Sequence, residues 1–118
     1  MNRWIVASVA LAALLVAASL AACREAEGVD FSAQVPDGAP QIDQHGLQFD
    51  PTSLTVSVGE TVYITNSESA LHRVEVDGED ISGNMERGDV VAYTFDAPGE
   101  YRLTCTYHPQ QRATVTVE

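Results

Sequence analysis

Lysine is absent from this chain of 118 residues, whose six basic residues are all arginines facing 17 acids, for a formal net charge of −11. A surface this negative repels phosphates, which excludes nucleic acid as a partner. It suits a basic protein reached by electrostatic steering, or it simply keeps the surface solvated. Soft and imidazole donors are also scarce, with two cysteines, two methionines and three histidines. That is too few for the Met- or His-rich tracts of metal-delivery proteins. It also leaves no material for a second metal cluster. No internal repeat is visible, and no convincing helical periodicity occurs beyond the N-terminal segment.

The one long uncharged run is Trp4 to Ala22, preceded by Arg3. A positive n-region and an apolar stretch closing on small residues read as a secretory signal. The ending Leu20-Ala21-Ala22-Cys23 resembles a bacterial lipobox, which implies that residues 1–22 are removed and that Cys23 carries a lipid. An uncleaved transmembrane anchor is the competing reading. Either reading places the rest of the chain outside the cytoplasm, tethered to a membrane and facing the periplasm or the cell surface. Removing residues 1–22 leaves 96 residues with five arginines against 17 acids, enough for one small core. Residues 23–41 are polar and contain two prolines, the composition of a flexible tether. The domain is then expected at 42–118. With Cys23 acylated, Cys105 has no partner. An unpaired thiol outside the cytoplasm is buried and inert, or it does chemistry or holds a metal.

From Ile42 onward, apolar residues alternate with polar ones, the signature of strands. Leu54, Val56 and Val58 share one face; Val62 and Ile64 follow after a Gly59-Glu60 turn. His72 shares a face with Val74 and Val76, which points it inward. Asp77-Gly78 reads as a turn, and Ile81 to Asp89 as irregular. Val91, Tyr93 and Phe95 form the next inward set. Tyr101, Leu103 and Cys105 alternate with Arg102 and Thr104, so Cys105 also points inward. Ala113, Val115 and Val117 close the chain. About seven short strands with regular turn signals argue an all-β, single-domain antiparallel Greek-key sandwich.

His72 and Cys105 are therefore two inward-facing metal-ligand candidates, and His108 follows three residues after Cys105, in a loop held by Pro109. Imidazole and thiolate together suit copper, zinc and iron. Two His and one Cys with a weak axial donor is the pattern of a copper site built for electron transfer. Structural zinc more often takes four strong ligands with paired spacing, which favours copper. His45 has no partner spacing and reads as a surface histidine. Met85 reads as a core residue, and Tyr101 as a corner packer.

Residues 42–118 resemble the cupredoxins, the plastocyanin- and amicyanin-like family of small blue copper proteins. The resemblance rests on Phe49-Asp50-Pro51-Thr52-Ser53-Leu54-Thr55-Val56, on Gly59-Glu60-Thr61-Val62, on Asn66 through His72, and on Phe95-Asp96-Ala97-Pro98-Gly99-Glu100-Tyr101 leading into Cys105-Thr106-Tyr107-His108-Pro109. It implies a type 1 site holding one copper ion, with His72, Cys105 and His108 as equatorial ligands. The family's axial Met falls on Gln111, with Gln110 as a rival. Gln is an attested substitute, and its harder oxygen favours Cu(II), which predicts a lowered potential. The family's Asn after the first ligand His is here Arg73, so bonds tying the ligand loops together must come from elsewhere. The implied function is electron transfer by a monomeric non-enzyme. The exposed edge of His108, with Pro109 and Leu71, would be the electron port. A basic c-type cytochrome or an oxidase would be the redox partner. The alternative is an extracytoplasmic copper-binding or delivery lipoprotein.

Overall fold

A computed structural model describes residues 34–118. The signal segment and Cys23 lie outside the described residues. Nine strands follow in order: β1 Gln41–His45, β2 Gln48–Asp50, β3 Ser53–Val56, β4 Thr61–Asn66, β5 His72–Val76, β6 Glu79–Met85, β7 Val90–Thr94, β8 Gly99–Cys105 and β9 Arg112–Val117. They form two sheets, a four-stranded β2-β1-β4-β7 and a five-stranded β3-β9-β8-β5-β6. The expected sandwich is present, with more strands than the alternation indicated. Its sheets are mixed, not purely antiparallel, because β1 runs parallel to β4 and β3 parallel to β9.

The core lies between the inner faces. Ile42, Val62, Ile64 and Val91 come from one sheet, and Val74, Leu103 and Val115 from the other; Phe49, Phe95 and Met85 are buried with them. Full burial of each such side chain is worth about 1.5–3 kcal/mol. Val58 departs from the expected pattern: β3 stops at Val56, and Val58 is exposed. Tyr101 packs a corner as expected, its ring 4.9 Å from that of Phe95 and its hydroxyl donating to the Ala97 carbonyl at 2.8 Å.

Two tight turns set the edges. Gly46 and Leu47 both have positive φ, 62° and 57°, and join β1 to β2. Asp77 and Gly78 do the same between β5 and β6, at 49° and 84°. A two-residue turn of this hand matches the twist of its flanking strands. The stretch expected to be irregular, Ile81 to Asp89, instead contributes most of β6, an edge strand. Its pairing with β5 shifts register between Arg73 and Glu75. There the Ser82 hydroxyl accepts the Val74 N–H at 2.8 Å in place of a ladder carbonyl. A polar side chain thus replaces a backbone partner, which hides the strand from a simple alternation test.

Candidate metal centre

His72 opens β5 and Cys105 closes β8, and these strands are antiparallel neighbours with Val74 opposite Cys105. Topology alone therefore brings the imidazole and the thiol to the same end of the five-stranded sheet. The chain then turns through residues 106–111, with the Gln111 N–H donating to the His108 carbonyl at 2.9 Å, before β9 begins.

The result is a compact cluster. Nδ1 of His72 lies 3.7 Å from the Cys105 sulfur, and Nδ1 of His108 lies 3.4 Å from it. The ligand atoms of the three residues all fall within 4.8 Å of one another. His72 and Cys105 are buried and His108 is half-buried. Among the described residues Cys105 has no disulfide partner. Gln111 is fully buried, whereas Gln110 is exposed. The Gln111 amide nitrogen donates to Oε1 of Gln44 at 2.9 Å. Its oxygen, Oε1, is the one buried side-chain N or O among the described residues with no hydrogen-bond partner.

The orientation of His72 has a clear cause. Its Nε2 lies 2.7 Å from Oε1 of Glu68. Desolvation raises the Glu68 pKa, but the N–H of Leu47, the His72 ring and the N–H of Gly46 outweigh it and hold the carboxyl below its ordinary value. An ionised carboxylate only accepts, so the hydrogen of His72 sits on Nε2 and the Nδ1 lone pair faces the sulfur. Glu68 in turn is placed by Asn66, whose Oδ1 accepts the Glu68 N–H at 3.0 Å. The Asn66 amide donates to the carbonyls of Ala70 and Met85. One buried asparagine thus shapes the loop that delivers both Glu68 and His72.

The Arg73 side chain pairs with Asp80 at 2.5 Å and also reaches the Tyr107 hydroxyl of the second ligand loop. The backbone adds a further tie, where the Thr106 N–H donates to the Arg73 carbonyl at 2.9 Å. Thr106 Oγ1 donates to Glu75 at 2.7 Å, and the Tyr107 hydroxyl donates to Asn84. A backbone carbonyl is available whatever the side chain, so the replacement of Asn by Arg leaves the loops joined. His45 is exposed and Met85 is buried in the core, as expected. Pro109 is exposed, as is Leu71.

Sequence reasoning passed over two residues. Gln44 is two positions from Ile42 on β1, so its inward direction was readable from parity. Glu68 lies in a turn with no period to betray it; only its place four residues before His72 was a signal.

Comparison with known proteins bears on the same domain. The cupredoxin-like domain profile matches residues 6–117. Amicyanin-alpha of Methylorubrum extorquens is 29% identical over 117 residues, covering 94% of this chain and 98% of that protein. Amicyanin of Paracoccus versutus is 36% identical over 93 residues, covering 74% of this chain and 70% of the relative. The crystal structure of the latter superposes with a TM-score of 0.67 and 31% identity, over 77% of this chain and 91% of that one. Profile, sequences and folds agree with the clustered thiol and imidazoles, and the chain belongs to the cupredoxin-like domain family.

Proposed function

We propose that this protein is a type 1 copper electron carrier, whose copper would be held by Nδ1 of His72, Sγ of Cys105 and Nδ1 of His108, with Oε1 of Gln111 as a weaker fourth donor. The observation that carries this reading is the donor set itself: a buried thiol between two imidazole nitrogens, with a buried amide oxygen left unpaired. Two nitrogens, one sulfur and a weak fourth donor suit copper better than a structural zinc, which takes four strong ligands. Copper, when bound, supplies a one-electron Cu(II)/Cu(I) couple.

The chain's own residues keep that couple in one geometry. β5 and β8 hold His72 and Cys105 in a sheet, Glu68 fixes the His72 tautomer, and burial excludes water. Four protein donors leave no position for a substrate, which favours a carrier over an enzyme. The half-buried His108 edge, beside the exposed Pro109 and with Leu71 preceding His72, serves as the electron port. The net charge of −11 steers a basic redox protein, such as a c-type cytochrome or an oxidase domain, to the carrier. Residues 1–22 act as a lipoprotein signal, Cys23 as the lipid anchor and residues 23–41 as a tether. This places the domain outside the cytoplasm on a bacterial membrane.

The test is a copper titration of the full chain in mild detergent, followed by visible absorption and EPR. An intense thiolate-to-copper band should saturate at one equivalent and vanish in Cys105→Ser. Gln111→Met should raise the reduction potential; an unchanged potential removes Gln111 from the coordination sphere. A colourless metal bound without such a band would end the electron-carrier reading.

A further inference from the structure

We propose that Gln44 is a positioning residue that decides which end of the Gln111 amide is offered to the metal. This rests on the copper reading above, and deepens it.

Gln44 sits on β1, fully buried, on the inward face it shares with Ile42. Parity calls for an apolar side chain there. An amide is tolerated in such a place only when its polar atoms are satisfied. Here both ends are. Its Nε2 lies 3.3 Å from the Thr65 carbonyl and 3.4 Å from the sulfur of Met85. Its Oε1 accepts from Nε2 of Gln111 at 2.9 Å.

The polarity of this chain of contacts has a fixed starting point. A backbone carbonyl can only accept, and so can a thioether. The Gln44 end facing Thr65 and Met85 must therefore be the NH2 group. Its other end is then an oxygen, and an oxygen demands a donor from Gln111. The Gln111 nitrogen is consumed, and its oxygen is left over as the unpaired buried atom. A flipped Gln111 would set oxygen against oxygen, leaving two buried acceptors opposed and presenting an NH2 group that cannot bind a cation. Met85 stands opposite His72 in the β5–β6 pairing, so Gln44 contacts the cross-strand neighbour of the first imidazole ligand. An axial methionine would need no such device. Gln44 and Gln111 thus act as a matched pair.

A double-mutant cycle tests this on the full-length protein, with copper as the probe: parent, Gln44→Leu, Gln111→Met and the double variant. Loosening the axial oxygen weakens the preference for Cu(II). Gln44→Leu alone should therefore raise the potential and move the Cu(II) EPR spectrum toward that of Gln111→Met. A tenfold change in relative preference reads as about 59 mV for one electron. In the Gln111→Met background the same substitution should shift the preference less than threefold. Equal shifts in both backgrounds, or a parental potential and EPR spectrum in Gln44→Leu, would overturn the proposal. NMR of the metal-free parent provides a readout independent of variant folding. The Gln111 side-chain NH2 protons should exchange slowly and show contacts to Gln44; fast exchange would also overturn it. If the parent itself shows no thiolate-to-copper band, the copper reading fails, and the NMR result still judges the amide pair separately.

Discussion

Glu68→Gln should weaken copper binding by ten- to a hundredfold. The carboxylate accepts three N–H donors: Gly46 at 2.8 Å, Leu47 at 3.0 Å and His72 Nε2 at 2.7 Å. Oε2 serves Gly46, while Oε1 serves both Leu47 and His72. A glutamine amide has only one accepting end. With its oxygen at the Oε1 place, its NH2 opposes the Gly46 N–H. In the reverse pose its NH2 opposes Leu47 and His72, and the imidazole answers by moving its hydrogen to Nδ1, which removes the ligand lone pair. Loss of such a partner typically costs 10–100-fold in metal affinity, or about 1.4–2.7 kcal/mol. The assay is competition for Cu(II) against a chromophoric chelator at neutral pH. Nitrogen-15 spectra of the metal-free proteins should show the Nε2–H tautomer of His72 in the parent and a mixture in the variant. Copper affinity within twofold of the parent, with an unchanged tautomer, would refute the reasoning.

Ser82→Ala removes the acceptor of the Val74 N–H and leaves a fully buried donor unpaired. It should cost the metal-free protein about 1–3 kcal/mol, read from the urea midpoint at constant slope. Asp80→Asn tests the acid side of the stability profile. Desolvation raises the Asp80 pKa, but the Gly83 N–H, the Arg73 guanidinium and the Ser82 N–H together bring it below the ordinary 3.8. The stabilisation is therefore complete above the ordinary carboxylate value and is lost as pH falls through the lower folded one. Parent and variant should differ in denaturation midpoint at pH 6 and converge below about pH 3.8; a gap that widens on acidification would contradict this sign.

The donor cluster was legible because strand parity is a strict code. His72 and Cys105 each share a face with core valines or leucines, and a one-residue error would have turned them outward. The pairing of distant strands was not legible, since nothing local marks β1 for β4 or β3 for β9 as parallel neighbours. β6 was hidden for another reason. It is an edge strand whose Asp80, Ser82 and Gly83 serve turns and a bulge, so its composition imitates a loop. Glu68 was hidden because its role is set by tertiary contacts with Gly46 and Leu47, 22 and 21 residues away.

Cys105, His108 and Gln111 lie within seven consecutive residues, while His72 is 33 positions upstream of Cys105. A denatured chain therefore still offers a thiol and an imidazole three residues apart, and bridging them costs little loop-closure entropy. Copper keeps a foothold on the denatured ensemble, and any affinity there subtracts from the stabilisation it confers on the fold. The rise in melting temperature on loading copper should thus fall short of what the folded-state dissociation constant implies, and the shortfall measures how much of the site is local in sequence.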